Sequence, residues 1–314
     1  MRVFVAGHRG MVGSAIARKL SARGDIVITR SRNELDLTHQ ASVRDFFASE
    51  TFDCVVLAAA KVGGIQANNS LPAEFIYENM MIEANVVHES FKSGVRRLLF
   101  LGSSCIYPRA VGQPMSEDAL LTGVLEQTNE PYAVAKIAGI KLCESYNRQY
   151  GTDYRCVMPT NLYGPGDNFD LESSHVLPAL IRKFHEAVET GAEEVTIWGT
   201  GEPQREFLHV EDMAEASLFI LDMPYKIFWD SVQSQLSHLN IGFGSDVKIS
   251  ELASIIADVT GYSGRIIHDR SKPDGTMKKL MDSSKINNFG WYPRIDLRQG
   301  ILDTYLWYKQ NVAH

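Results

Sequence analysis

RVFVAGHRGMVGSAIARKL, residues 2–20, decides the architecture. Arg2–Ala6 is apolar and β-branched, as a buried strand is. Gly7, Gly10 and Gly13 follow, and Val12, Ala15, Ile16 and Leu20 then recur at helical spacing within Met11–Arg23. Strand, glycine turn and helix in that order open a βαβ unit. Glycines let the turn close and let backbone approach a pyrophosphate, while the free N–H groups and the dipole of the helix start favour the anion. The spacing here is G-x-x-G-x-x-G rather than G-x-G-x-x-G. The position of the turn after the first strand therefore carries the dinucleotide reading.

Working outward, Asp25–Thr29, Cys54–Ala58, Arg97–Gly102 and Tyr154–Met158 read as strands, and Val43–Glu50, Pro72–Lys92 and Tyr132–Tyr150 as helices. Such alternation predicts a parallel sheet covered on both faces. Beyond Pro159 the regularity falls. Asn161–Ser174 reads as a loop, Val176–Thr190 as a helix, Val195–Trp198 as a strand, Gly199–Pro203 as a turn and His209–Leu221 as a helix. Leu239–Gly242, Ser250–Thr260 and Arg265–His268 read as strand, helix and strand. The expected fold is α/β, a Rossmann-type doubly wound parallel sheet with a smaller C-terminal α/β substrate domain. Residues 1–160 form the dinucleotide-binding domain, to which about 206–245 return, and 161–205 and 246–314 mainly form the substrate domain.

With 314 residues, 45% of them hydrophobic, the chain can bury a core without disulfides or a structural metal. A net charge of −7 gives no basic face for nucleic acid. Cys54, Cys105, Cys143 and Cys156 lie far apart with no CxxC pair, so no metal is expected, and reduced thiols in a cytoplasmic protein are. The first residues run straight into a strand and no run of about 18 apolar residues occurs, so neither a secretory leader nor a membrane partner is expected.

The second strand ends in Thr29-Arg30-Ser31-Arg32, where an NAD enzyme usually carries Asp or Glu for the ribose hydroxyl. Arginine there suits a 2′-phosphate, and Arg9 in the glycine turn reaches toward the same place, so NADP(H) is the expected cofactor. Tyr132 and Lys136 stand at i and i+4, on one helix face. An ammonium beside a phenol of pKa near 10 stabilises the phenolate. Ser103 and Ser104 follow the strand Arg97–Gly102, at the end where parallel sheets bind ligands. Taken singly, Tyr132 with Lys136 also reads as a core tyrosine with a snorkelling lysine, and Ser103 as a turn serine; their company with the glycine turn makes a reductase site.

GHRGMVG (7–13), AAAKVGG (58–64), LGSSCIYP (101–108), NEPYAVAKIAGIKLCESYNRQYG (129–151), MPTNLYGP (158–165) and REFLHVEDMA (205–214) together resemble the GDP-L-fucose synthase family of extended short-chain dehydrogenases/reductases, over nearly the whole chain. The resemblance implies 3,5-epimerisation of GDP-4-keto-6-deoxy-D-mannose followed by NADPH-dependent reduction of its C4 ketone. It implies catalytic roles for Ser103, Tyr132 and Lys136, with Cys105 and His175 handling the epimerisation protons; either side chain can act near neutrality, and Cys105 as base with His175 as acid is the order expected here. It implies cofactor contacts at Gly7, Arg9, Gly10, Met11, Val12, Gly13, Arg32, Asp36, Leu37, Ala58, Ala60, Lys136, Pro159, Asn161, Leu162 and His175. For the nucleotide sugar it implies Lys183, Trp198, Arg205 and Asp274, and it implies a homodimer through Pro72–Lys92 and Tyr132–Tyr150. The alternatives are a sibling nucleotide-sugar epimerase or dehydratase with tightly bound NAD, against which the arginines after the second strand and the Cys105–His175 pair argue, and a non-catalytic NADP(H)-binding regulator, which would not need Ser103, Tyr132 and Lys136. Michaelis constants test the cofactor reading: Arg32→Ala should raise that for NADPH and leave that for NADH nearly unchanged, and an unaltered preference removes the argument.

Overall fold

The computed structural model describes residues 1–272 and 274–313. In chain order the first half holds β1 (Arg2–Ala6), α1 (Met11–Ala22), β2 (Ile26–Ile28), α2 (Gln40–Ser49), β3 (Cys54–Leu57), α3 (Ile65–Ser70), α4 (Pro72–Lys92), β4 (Arg97–Leu101), α5 (Glu130–Tyr150) and β5 (Asp153–Pro159). The second half holds β6 (Asn161–Tyr163), α6 (Val176–Thr190), β7 (Glu194–Trp198), β8 (Gln204–His209), α7 (Val210–Asp222), α8 (Tyr225–Ser231), β9 (His238–Ile241), β10 (Asp246–Lys248), α9 (Ile249–Thr260), β11 (Arg265–Asp269), β12 (Lys278–Lys279), α10 (Ser284–Asn288) and α11 (Leu297–Asn311).

Six strands pair in parallel in the order β2-β1-β3-β4-β5-β9. Successive side chains leave a strand on opposite faces. Val3, Val5, Val56, Leu99, Val157 and Leu239 therefore pack on α1 and α7, while Phe4, Val55, Leu57, Leu98, Phe100 and Met158 pack on α2, α4 and α5. The strand order reverses between β1 and β3, which opens a crevice at their carboxyl ends.

A third core joins Leu180, Ile181 and Phe184 of α6 to Leu252 and Ile256 of α9, with Ile197, Ile301 and Tyr305. Strand β8 is its hinge with the central sheet, pairing with β6, β10 and β12. The fully buried Glu206 on β8 accepts hydrogen bonds from the N–H of Gly244 (2.7 Å) and of Met281 (3.0 Å), fastening three separate chain segments.

Several elements depart from the sequence reading. Asn161–Ser174 contains the three-residue β6, too short to show alternation. His209 caps α7 rather than opening it, its Nδ1 accepting from the Glu211 N–H at 3.3 Å. Strand β8 was not expected, because its buried run includes a glutamate. Helix α11 was missed because polar Thr304 and phenolic Tyr305 and Tyr308 occupy much of its buried stripe.

The glycine turn is held by contact rather than by flexibility alone. A Cβ on Gly13 would stand 2.1 Å from the Gly7 carbonyl oxygen, whereas one on Gly10 meets nothing nearer than 3.5 Å. Gly13→Ala should lower stability by about 1–3 kcal/mol, the usual cost of overpacking a tight contact, and Gly10→Ala by clearly less. Denaturant unfolding of both variants checks this, and equal losses would show that the close approach is not what fixes the turn.

Candidate active site

The crevice begins at the glycine turn. Gly7 has φ +92°, and a Cβ there would collide with the backbone of Ala59 just after β3. This brings Ala58, Ala59 and Ala60 beside the turn. Gly10 caps α1 without a side-chain bond, and no acid occupies the first turn of the helix, which carries Met11, Val12 and Gly13. The free N–H groups therefore face a space suited to an anion. A dinucleotide pyrophosphate fits this cradle, since Gly7 and Gly13 let the backbone of the turn pack closely enough to bring the helix start to the crevice, and Gly10 leaves its mouth free of a side chain.

The two arginines after β2 separate cleanly. Arg30 donates to the Thr29 carbonyl at 2.8 Å, pairs with Glu50 at 3.1 Å and lies over the Phe46 ring at 5.0 Å, so it is committed to the fold. Arg32 is exposed, with Glu78 at 3.3 Å and Asp36 at 4.0 Å, and Arg9 is exposed as well. Asp36 accepts from the N–H (2.9 Å) and hydroxyl (2.7 Å) of Thr38, which hold its carboxyl below its ordinary pKa, and so shapes a turn. The Leu37 carbonyl accepts from the Asn85 amide at 2.9 Å. On the other side of the crevice, Pro159 ends β5 while Asn161 donates to the Glu206 carbonyl at 2.8 Å, and Leu162 packs against the α1–α7 core.

Ser103 follows β4 and caps the short turn Ser104–Ile106, its Oγ accepting from the Cys105 N–H at 3.4 Å. Tyr132 and Lys136 come from the first turns of α5. Burial raises the Tyr132 phenol well above its ordinary pKa, Cys105 and Glu83 add to that, and the Ser103 hydroxyl opposes it. The Lys136 ammonium, 2% exposed, lies 5.8 Å from the Tyr132 ring centroid and 4.7 Å from that of Phe100. It donates to the Leu101 carbonyl at 3.0 Å and sits 3.1 Å from Glu83 Oε1.

Cys105 is buried, and burial pushes its thiol up, while Ser103, Lys279 and Lys136 each favour the thiolate. His175 caps α6 without a side-chain bond and its ring is open to solvent, yet the protein crowding it lowers its pKa. The resting pair is thus a thiol and a neutral imidazole. No hydrogen bond or ion pair ties His175 to Cys105, Ser103 or Tyr132, and its place on α6 rather than on the sheet is why its spacing in the sequence carries no signal.

From Cys105 a track of cations leads away from the sheet. Lys279 of β12 faces Arg205 of β8 in register and acts electrostatically on Cys105. Arg205 donates to the Gln204 carbonyl at 2.7 Å and to that of Thr276. Lys183 donates to the Thr196 carbonyl at 3.3 Å, and its ammonium and that of Lys272 each lie 5.4 Å from the exposed Trp198 ring centroid. Asp274 accepts from the N–H (2.9 Å) and hydroxyl (2.7 Å) of Thr200, which keep its carboxyl below the ordinary range and seat the 274–276 segment against Arg205. Neither Lys183 nor Arg205 pairs with a carboxylate among the described residues, and burial penalises the charge of both. Unmatched, half-buried cations of this kind suit a diphosphate. Lys272, Lys279 and Glu83 were not found from the sequence, since β12 is two residues long and Glu83 sits in an otherwise apolar stretch of helix.

Residues 3–233 match the model of the NAD dependent epimerase/dehydratase family. The chain belongs to that family. Its curated relatives include a GDP-L-fucose synthase of Escherichia coli (strain K12), 59% identical over 99% of this chain and 97% of that protein, and GDP-L-fucose synthase 1 of Arabidopsis thaliana, 55% identical over 100% and 94%. Among solved structures, a GDP-mannoheptose C4 reductase from Campylobacter jejuni with NADP bound superposes with a TM-score of 0.89 at 39% identity, over 98% of each chain.

Membership of the NAD dependent epimerase/dehydratase family fits a crevice built for a nicotinamide dinucleotide. Among the described residues no group of His, Cys, Asp and Glu is arranged to hold a metal, and no helix is long and apolar enough to cross a membrane. If Cys105 is the base, hydrogen–deuterium exchange at the acidic carbons of a ketosugar should still be climbing above pH 8, because its thiol titrates above the ordinary cysteine value of about 8.5. A rate already flat above pH 7 would instead make the imidazole the base, since the pKa of His175 lies below its ordinary value.

Proposed function

We propose that this chain converts GDP-4-keto-6-deoxy-D-mannose to GDP-L-fucose by epimerisation at C3 and C5 and then NADPH-dependent reduction at C4. The observation that carries the reading is the arrangement of the cleft: Ser103, Tyr132, Lys136 and Cys105 stand at one end, and a line of carboxylate-free cations runs from them to an exposed indole. Identity above 50% to GDP-L-fucose synthases over the full length supports the same reading.

The sugar's C4 oxygen would lie against the hydroxyls of Ser103 and Tyr132. Protons at C3 and C5 are acidic because the carbanion spreads onto that oxygen, where the two donors stabilise the developing charge. The Cys105 thiol first passes its proton to the His175 imidazole through solvent. The thiolate then removes a proton from one face and the imidazolium returns one from the other, and the proton taken up by Cys105 passes back to His175 before the second centre is inverted. The same oxygen then accepts the Tyr132 proton, while the Lys136 charge stabilises the phenolate left behind. NADPH, held by Gly7, Gly10, Gly13, Met11 and Val12 at its pyrophosphate and by Arg32 and Arg9 at its 2′-phosphate, supplies the hydride to C4. Asp36, Leu37, Ala58, Ala60, Pro159, Asn161, Leu162 and His175 line the rest of its path. Lys183 and Arg205 hold the substrate diphosphate, Trp198 stacks on the guanine, and Asp274 keeps the covering segment in place.

The working unit is proposed to be a homodimer in the cytoplasm. Tyr77 and Met80 of α4 and Val134 and Tyr150 of α5 leave apolar surface exposed on the two long helices, and all four cysteines are free thiols.

Incubation with the ketosugar and NADPH should consume one NADPH per sugar and yield GDP-L-fucose. A product formed without net NADPH oxidation, over tightly held NAD, would favour the sibling epimerase or dehydratase. Tyr132→Phe should cut the reduction rate by about 10²–10⁴, the usual worth of a positioned proton donor, and Cys105→Ser and His175→Gln should each abolish deuterium incorporation at C3 and C5. Normal incorporation in both would show that the pair is misassigned.

A further inference from the structure

We infer that Glu83 is a positioning residue for the reduction: from the neighbouring helix its carboxylate holds the Lys136 ammonium in place beside the Tyr132 phenol. The inference rests on the reductase reading above and adds a residue to it.

Glu83 lies in the middle of α4, among the buried Ile82, Val86 and Val87, on the side packed against α5. Its side chain and that of Lys136 are each 2% exposed and their charged atoms stand 3.1 Å apart. The remaining surroundings are apolar or crowded. The Phe100 ring lies 4.7 Å from the ammonium, and a Cβ on Gly139 would meet both that ring and Glu83 Oε2, the latter at 2.7 Å. A glycine at this point of α5 is what lets the carboxylate reach the lysine.

A buried ion pair of this sort is a poor device for stability, because an apolar pair of similar volume usually serves as well or better. Its location gives it another use. An ammonium has three donors. The Leu101 carbonyl takes one at 3.0 Å, and the Glu83 carboxylate, in ion-pair contact at 3.1 Å, draws the ammonium from the other side. The two contacts fix the place of the charge without help from ligand. The titratable groups facing Glu83 are Lys136 and Tyr132 on α5 and the Cys156 thiol on β5; β4 offers only the Phe100 ring. Burial pushes the Glu83 carboxyl up to about 7, with Lys136 holding it down. Its negative charge in turn helps keep the Tyr132 phenol protonated, ready to donate.

Removing that charge makes the Tyr132 phenol easier to deprotonate. Glu83→Gln keeps the size and an acceptor for Lys136, so Michaelis constants for NADPH and ketosugar should stay within about threefold, whereas the alkaline limb of the kcat profile should move down by about one pH unit, a tenfold loss on that limb. Glu83→Asp, which restores the charge, should return the limb toward wild type. A purely structural role would give coincident limbs in all three proteins, and that result overturns the inference. A measurement on the unaltered chain covers the case in which the variants do not fold. With 15N at lysine Nζ, one resonance, assigned by its loss in Lys136→Met, should show protons that exchange slowly with solvent, and exchange as fast as that of the exposed lysines overturns the clamp. If the unaltered chain consumes no NADPH with the ketosugar, the reductase reading fails, and the resonance still reports on the clamp.

Discussion

Backbone packs directly on backbone where α1 meets β1 and β3, and the other parts of the crevice take their positions from that contact. Gly7 and Gly13 touch across the turn, and Gly7 touches Ala59, with no room for a methyl group at either glycine. The start of the first helix is thereby driven down onto the reversal point of the sheet. Its unpaired N–H groups face the same opening into which β4 delivers Ser103 and α5 delivers Tyr132 and Lys136. Any loosening of the turn would move the pyrophosphate cradle relative to the phenol, and hydride transfer tolerates little misplacement.

The second half of the chain is tied to this frame by buried polar groups as well as by the apolar core it shares with the sheet. The Tyr107 hydroxyl donates to the Asn240 side chain and lies 3.1 Å from a His238 ring nitrogen, and burial drives that ring's pKa to about 3, so it stays neutral. Asn240 in turn donates from its amide to the carbonyls of Met115 (3.0 Å) and Asp282 (3.1 Å) and from its backbone to Glu117 (3.1 Å). This network begins two residues after Cys105. It links the thiol-bearing turn, the last strand of the central sheet and the segment that carries Lys279. The turn that carries Cys105 and the segment that carries Lys279 are thereby held to the same strand.

What the sequence disclosed follows from how local each signal is. Apolar runs and helical spacing gave β1 and α4 to the residue and the other central strands to within one or two residues at their ends, because the strands bury mostly apolar side chains and α4 is long. The Ser103–Tyr132–Lys136 group was legible from short motifs on adjacent elements. Arg30 and Arg32 were not separable, since only the fold shows Glu50 and Phe46 engaging the first and leaving the second exposed. Helix α11 hid behind Thr304, Tyr305 and Tyr308, whose polar atoms mask a buried stripe. Lys279 and Glu83 carry no local pattern at all; each matters through a partner far away in the chain.

Strand β9 completes the central sheet only at residues 238–241, and Ile286 and Trp291 enter the core that α1 and α7 build on that sheet. The nascent chain therefore leaves the ribosome with its nucleotide-binding half unfinished. The outer edge of β5 lacks its partner until residues 238–241 have emerged, and the apolar face around Met213 and Leu239 lacks Ile286 and Trp291 for longer still. During synthesis these are where a chaperone would find purchase.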